Sequence, residues 1–295
     1  MEHVKVFCFF ASYAVALVCE CTRLLGRGTF GRALAAAFSV AGFVAHTSYL
    51  WYRARALDLP PLLSSTQDWL FVLAWIAILI YLFFLAVDRR SAVGLFLLPL
   101  VVALIGAAYF VSADTNILIR AEETRRTAIH NWALLHASLT VFGIAGVLLG
   151  IVLSLMYLVQ HRRLKHKRVL STGLTLPSLA TLARWNRWAV IVSVPLLTLG
   201  LCTGVLLGLA TRKTETPVSF ADPFVVGVSF TWAVMFVFFL WLLRRQAPTS
   251  RRVAWLTVWA FGFMLVTMIG LQILMRGWIH SWHSFLDLPT PFPVV

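Results

Sequence analysis

The sequence predicts an all-α protein, a polytopic bundle of about eight transmembrane helices that forms one integral membrane domain over residues 1–295. Of its residues 60% are hydrophobic and 12% charged, with a mean hydropathy of +0.87, whereas soluble domains are about 45–50% apolar and about 25% charged. A bilayer core about 30 Å thick needs roughly 20 apolar residues per helix. Eight stretches approach or meet that length: 4–21, 33–52, 69–88, 92–112, 131–160, 186–210, 223–243 and 253–275.

The first stretch is interpreted as a retained helix and not as a cleaved secretory signal. A signal peptide begins with a positively charged segment, but here only Lys5 supplies such a charge near the start of the apolar run. Cys19-Glu20-Cys21 occupies the place where a signal peptide carries small residues for cleavage, and three arginines follow.

Each later stretch is bounded by polar or aromatic residues. The second ends in the aromatic run 49–52, and two arginines separate the third from the fourth. The fifth ends at the basic loop 161–185. The sixth contains Pro195, which a transmembrane helix tolerates where neighbouring groups satisfy its freed carbonyl. The seventh begins at Asp222-Pro223, and the eighth follows two more arginines.

Charge is distributed unevenly between the two sides of this bundle. The loops after the first, third, fifth and seventh stretches hold 16 of the 25 Lys and Arg residues and two of the 11 Asp and Glu residues. By the positive-inside rule these loops are cytoplasmic, so both termini are expected outside. The run 161–168 is interpreted as a topology anchor that contacts anionic lipid.

Several classes of function are not indicated. The net charge of +14 does not point to nucleic acid, because the cations lie in short loops between apolar runs. The four cysteines show no CxxC spacing, so neither a disulfide framework nor a thiolate metal site is indicated. No P-loop, dinucleotide fingerprint, HExxH or Ser/His/Asp arrangement is evident.

Side chains with chemical potential gather at the predicted outer face. His136 lies at the entrance to the fifth stretch, and the segment after the eighth adds Trp278, His280, Trp282 and His283. Neutral imidazole offers a nitrogen lone pair, so two histidines on separate helix ends can clamp a planar cofactor through its metal. The same residues are also typical of an ordinary aromatic belt with hydrogen-bonded interfacial histidines.

His46 lies inside a span, in the outer half of the second stretch. An ionisable side chain within the bilayer is costly, so it is a functional-site hypothesis by default. The alternative interpretation is a hydrogen bond to a neighbouring helix.

Five segments carry a family resemblance. They are 61–75 with 95–99, 134–139, 176–182 with Asn186 and the Pro195, Gly200 and Gly204 pattern, 251–256 with 262–263, and 283–285. On these segments the chain resembles the cytochrome c assembly family of haem-handling membrane proteins. That family includes the haem-handling subunit of the system II cytochrome c synthase and the HemX-type proteins.

The resemblance implies a b-type haem presented at the outer face between two external histidines. His136 and His283 become the candidate axial ligands of the haem iron, with His280 as an alternative ligand. Asp222 and Trp232 mark the place of the family's tryptophan-rich segment, where this chain has Val218-Ser-Phe-Ala221. His46, Trp278 and Trp282 complete the candidate cofactor-binding residues.

The function implied is that of a membrane subunit of cytochrome c maturation, in a bacterial-type inner membrane. It would bind or deliver haem for attachment to apocytochrome c, as part of a haem lyase or synthase. A separate assembly subunit with an outer-side domain is then an expected partner, besides haem and the lipid bilayer. Two alternatives stay open: a HemX-like protein that influences haem biosynthesis, and a structural subunit that has lost haem binding.

Overall fold

A computed structural model describes residues 6–22, 29–88, 92–110, 128–165, 175–213, 220, 222–244 and 250–274. Within these residues the chain forms α-helices, one 3₁₀ turn at Thr211–Lys213 and no β-strand, which confirms the predicted all-α class. The helices are α1 (Val6–Cys21), α2 (Thr29–Leu57), α3 (Pro61–Ser64), α4 (Thr66–Val87), α5 (Gly94–Ala108), α6 (Ala128–Lys165), α7 (Leu179–Ala210), α8 (Pro223–Arg244) and α9 (Ser250–Leu274).

Each of the eight predicted stretches coincides with one of the eight longer helices. Several helices extend beyond the apolar stretch, as α6 does to Lys165 through the basic residues of its last turn. By length and hydropathy, α2, α4, α6, α7 and α8 qualify as membrane spans, while α1 and α5 are shorter apolar helices. The structure therefore supports a helical membrane bundle, and the count of eight spans stays a prediction.

The N-terminal half, α1 to α5, packs around large aromatic side chains. Phe9, Tyr13 and Phe71 are buried in its core together with many aliphatic residues of α4 and α5. At the opposite end from Arg53, Tyr81 Oη donates a hydrogen bond to the buried Glu20 Oε1 at 3.2 Å.

The C-terminal half, α6 to α9, is centred on the antiparallel pair of α6 and α7. Gly143 of α6 faces Leu197, and Gly146 faces Ser193. A buried polar group joins three helices: Ser154 Oγ donates to Asn186 Oδ1 at 3.1 Å, and Asn186 Nδ2 donates to Thr257 Oγ1 at 3.4 Å. These bonds fix the register of α6, α7 and α9, because a buried polar group without a partner is costly.

The two halves meet along α4 and α6 and at both ends of the bundle. At the end that carries His136, Leu59 and Leu63 pack against the first turns of α6. At the other end, Ala92 N donates a hydrogen bond to Thr175 O at 2.8 Å. These contacts place α3 directly beside the helix that carries His136.

Candidate haem site at the end of helices α6 and α7

His136 lies on α6 and is half-buried against α7. Its Nδ1 lies 2.8 Å from the backbone oxygen of Gly200. Because a carbonyl oxygen can only accept, Nδ1 carries the proton in this contact. In the neutral ring the lone pair therefore belongs to Nε2, the form in which imidazole binds a metal.

The face of α7 opposite His136 consists of glycines spaced four residues apart. A Cβ added at Gly204 would lie 2.9 Å from His136 Cε1, so the imidazole occupies space that any other residue would fill. A Cβ at Gly200 would lie 3.0 Å from Thr140 Oγ1, and that hydroxyl donates to His136 O at 2.7 Å. The third glycine is Gly208. The glycines thus bring the α7 backbone within hydrogen-bonding reach of the imidazole.

Phe220 covers the end of this glycine face. A Cβ at Gly208 would lie 2.7 Å from Phe220 Cζ, one helical turn beyond Gly204. The guanidinium carbon of Arg212 lies 5.9 Å from the centroid of the Phe220 ring, within cation–π range. Asp222 is buried and directly precedes α8. An aromatic ring and an exposed cation therefore lie beyond Gly204, at the same end of α7.

Trp232 lies on α8 and contacts α7. Its Nε1 donates to Thr198 Oγ1 at 3.0 Å, and its ring stacks on Phe236 at 5.2 Å. Thr198 is two residues before Gly200, whose carbonyl accepts from His136, and this is about 3 Å along the helix axis. The role of Trp232 beside a cofactor stays a prediction.

His46 is fully buried among aromatic rings of the N-terminal half. Its ring stacks on Phe9 with a centroid distance of 4.2 Å and an interplanar angle of 1°, and Phe71 meets it edge-on at 6.2 Å. Its Nδ1 lies 3.4 Å from Tyr13 Oη, and Nε2 has no hydrogen-bond partner in the structure. The contact with Tyr13 of α1 agrees with the interpretation of His46 as a residue that bonds a neighbouring helix.

Trp278, His280, Trp282 and His283 lie outside the described residues. Among the residues the structure does describe, no group of three or more His, Cys, Asp or Glu side chains could hold a metal ion. Of the predicted iron ligands, His136 lies within the described residues.

The family model of the Cytochrome C assembly protein matches residues 63–279, well over half of the chain. The chain belongs to the cytochrome c assembly protein family. The match includes His136, Asp222, Trp232 and Trp278. His46 precedes it, and Trp282, His280 and His283 follow its last residue. Searches of curated proteins and of solved structures found no match.

The residues around His136 have features that the haem implied by the family resemblance would need. A histidine that ligates a metal almost always donates its other ring nitrogen to a carboxylate, a backbone carbonyl or water, which fixes the tautomer and the ring orientation. His136 makes this bond with Gly200 O. Phe220 offers an apolar surface and Arg212 a positive charge, as a porphyrin with anionic propionates requires.

At His46 the described surroundings fit haem less well. The face of its imidazole is covered by Phe9, and its edge meets Tyr13 and Phe71. A porphyrin would require these rings to separate. Haem ligation at His46 stays a prediction.

Two structural features, a glycine spacing and an ion pair, are not among the predictions made from the sequence. The spacing Gly200-x-x-x-Gly204-x-x-x-Gly208 is a small-residue pattern that brings transmembrane helices into close contact, and it signals where a partner helix approaches. The ion pair between Arg53 and Asp68 near the start of α6 had no sequence signal, since these residues are 15 apart and lie on separate helices.

Proposed function

We propose that this member of the cytochrome c assembly family binds haem as its cargo at the end of α6 and α7, with His136 as an axial ligand. The single observation that carries the proposal is the hydrogen bond from His136 Nδ1 to Gly200 O at 2.8 Å, beside the space left open by Gly204. It holds the imidazole in one tautomer and one orientation before any ligand arrives. Such preorganisation lowers the cost of binding.

His283 is proposed as the second axial ligand, with His280 as the alternative. Both belong to the segment that follows α9, the last helix of the C-terminal half, whereas His136 is on α6, its first helix. Phe220 is proposed to cover one face of the porphyrin and Arg212 to pair with a propionate. Trp278, Trp282 and Asp222 are proposed to complete the surroundings of the haem.

The site is proposed to face the outside of a bacterial-type inner membrane. In the C-terminal half, cations gather at the ends of the helices that lie away from His136: Arg162, Arg163, Lys165, Arg184, Arg187, Arg244, Arg251 and Arg252. The positive-inside rule assigns that end to the cytoplasm. His136 and Arg212 are then on the side where cytochromes c receive haem.

Haem bound here would supply the vinyl groups that react with the thiols of a CxxCH pair on apocytochrome c. The described residues of the chain contribute ligation, orientation and charge to that reaction. A separate assembly subunit with an outer-side domain is proposed to present the apocytochrome, and the complex acts as a haem lyase or synthase.

The test is haem binding by protein purified in mild detergent. Wild-type protein titrated with haemin, then reduced with dithionite, is expected to show a Soret band and sharp visible bands at near-stoichiometric haem. His136→Gly is expected to lose most of this haem, and added imidazole is expected to restore it, because free imidazole can occupy the space of the deleted side chain. Restoration by imidazole separates loss of a ligand from loss of the fold.

The two alternatives predict a different result. A HemX-like protein that influences haem biosynthesis, or a structural subunit that has lost haem binding, would stay colourless after haemin is supplied. His136→Gly and His283→Gly would then alter stability alone. That outcome would contradict the proposed function while leaving family membership intact.

A further inference from the structure

A buried ion pair joins α2 to α4 at the end of the bundle where α6 begins. Asp68 is fully buried, and Arg53 donates to its carboxylate through Nε at 3.1 and 3.2 Å and through Nη2 at 2.7 Å. Ser64 Oγ donates to the same carboxylate at 2.6 Å. The Asp68 backbone N donates to Ser65 Oγ, the N-cap of α4. One carboxylate thus holds the end of α2, the start of α4 and the last residue of α3.

The segment held by this carboxylate packs on α6. After α2 the chain turns through Asp58, whose φ of 50° lies in the left-handed region that Asp tolerates better than most residues. Leu59 and Leu63, on either side of the start of α3, are buried. The α6 residues packed against them are Ala133, Leu134 and Ala137.

His136 lies among these three residues of α6. Ala137 follows it directly, and Ala133 precedes it by three residues, which is nearly one turn. The segment at α3 therefore packs on α6 at the level of His136. On the other side, Gly200 and Gly204 of α7 contact the imidazole itself. The first turns of α6 are held between α3 and α7.

We infer that Arg53, Asp68 and Ser64 form a positioning unit for His136, which acts through Leu63 of α3. This inference rests on the proposed function, in that the positioned group is the proposed haem ligand. The unit sets how closely α6 approaches α7 at this end. It thereby keeps His136 Nδ1 on the Gly200 carbonyl and fixes the direction of Nε2.

The helix pair α2 and α4 has another side-chain hydrogen bond that serves as a control. Trp75 Nε1 donates to Thr47 Oγ1 at 2.9 Å, and Phe43 stacks on Trp75 at 5.3 Å. This contact ties the same two helices together, about two turns of α4 from Asp68. Trp75→Phe removes its hydrogen bond and leaves the segment packed on α6 untouched.

The experiment compares Ser64→Ala, Leu63→Ala and Arg53→Lys with Trp75→Phe in the full-length protein. Ser64→Ala and Leu63→Ala leave the Arg53 to Asp68 pair in place, so neither variant exposes an uncompensated buried charge. We expect each of the three to weaken haemin binding about 10-fold, the lower end of the loss seen when an outer partner of a metal ligand is removed. Trp75→Phe is expected to bind haemin like wild type.

A second readout needs no haem. Diethyl pyrocarbonate modifies histidine at an accessible imidazole nitrogen, and mass spectrometry gives the rate at each site. In haem-free protein we expect the rate at His136 to rise severalfold in Ser64→Ala and Leu63→Ala, relative to His161 at the far end of α6. His161 stacks on Tyr157 and has no contact with α3, so it reports general loosening.

The outcomes separate the two proposals. If the rate at His136 and haemin affinity in Leu63→Ala and Ser64→Ala match those in Trp75→Phe, the unit is structural and the inference is overturned. If wild-type protein binds no haem while the rate at His136 still rises in these variants, the positioning of His136 is supported and the proposed function fails. If haemin affinity falls and the His136 rate rises together, both are supported.

Discussion

The two halves of this membrane protein differ in what surrounds a histidine of each, the buried His46 and the half-buried His136. In the N-terminal half, rings meet between helices: Phe9, His46, Tyr49 and Phe71 have neighbouring centroids 4.2 to 6.2 Å apart. In the C-terminal half, α6 and α7 approach through positions without side chains, and a Cβ at Gly143 would lie 2.7 Å from Leu197 Cδ2. The N-terminal half also has a tight glycine, but a Cβ at Gly42 would meet the ring of Tyr13 at 2.7 Å, whereas a Cβ at Gly143 would also meet the backbone N of Leu197 at 3.2 Å.

This difference explains where a cofactor ligand can be oriented. Between transmembrane helices there is no hydrophobic driving force, so packing and hydrogen bonds hold them together. In the N-terminal half, aromatic packing leaves His46 with rings around it. Glycine packing brings a backbone carbonyl to the surface of α7, and His136 uses it to fix its ring. The close contact between α6 and α7 is therefore where a backbone carbonyl orients an imidazole.

The largest expected effect is the loss of a ring from the N-terminal half. Phe9→Ala leaves a cavity beside His46 and Phe71, and large-to-small core changes at Phe cost about 3–5 kcal/mol. The midpoint of unfolding in SDS, followed by circular dichroism, measures the loss. Phe7→Ala on the same helix is the control, because Phe7 is 69% exposed. Equal midpoints for the two variants would refute the importance of the aromatic core.

The C-terminal half is expected to respond to addition instead of deletion. Gly143→Ala places a methyl group 2.7 Å from Leu197 Cγ and 3.2 Å from Leu197 N. Since backbone cannot move aside as a flexible side chain does, we expect overpacking to cost about 1–3 kcal/mol. The same SDS titration tests it. A stabilised Gly143→Ala protein would show that α6 and α7 are not in close contact here.

At the site, the same logic predicts a change in affinity. Gly204→Ala puts a methyl group 2.9 Å from His136 Cε1 and 3.1 Å from its Nδ1, so the ring must turn away from Gly200 O. We expect haemin affinity to fall about 10-fold, equivalent to about 1.4 kcal/mol. Haemin titration with and without added imidazole measures it. Unchanged affinity would place the ligand elsewhere than His136.

The helices of this fold follow from composition and apolar length. Each of the eight predicted stretches lies on a helix, because a backbone in hydrocarbon must satisfy its own hydrogen bonds. Helix ends were less predictable. α7 begins at Leu179, seven residues before the predicted start, where Ser178 Oγ accepts a hydrogen bond from Thr181 N. A cap formed by a single hydroxyl leaves little trace in a hydropathy pattern.

The candidate site could be predicted in part. The resemblance named His136, yet nothing in the sequence paired it with Gly200, because that contact links residues 64 apart. The hydrogen bond from Trp232 to Thr198 likewise joins residues 34 apart on separate helices, and no sequence signal paired them. Contacts between helices depend on register, which apolar stretches of similar composition do not specify.

The smallest expected effect tests whether sensitivity to an added methyl group depends on the individual glycine or on the half that contains it. Gly106 of α5 and Gly262 of α9 belong to different halves, and a Cβ at either would meet nothing within 4 Å. Because Gly inside a helix is less stable than Ala by about 0.5–1 kcal/mol, both Gly→Ala changes should raise the SDS midpoint slightly. If Gly262→Ala destabilised the protein as Gly143→Ala is expected to, sensitivity to added volume would belong to the whole C-terminal half. A gain at both positions would confine that sensitivity to the faces where α6 and α7 touch, the faces that also orient His136.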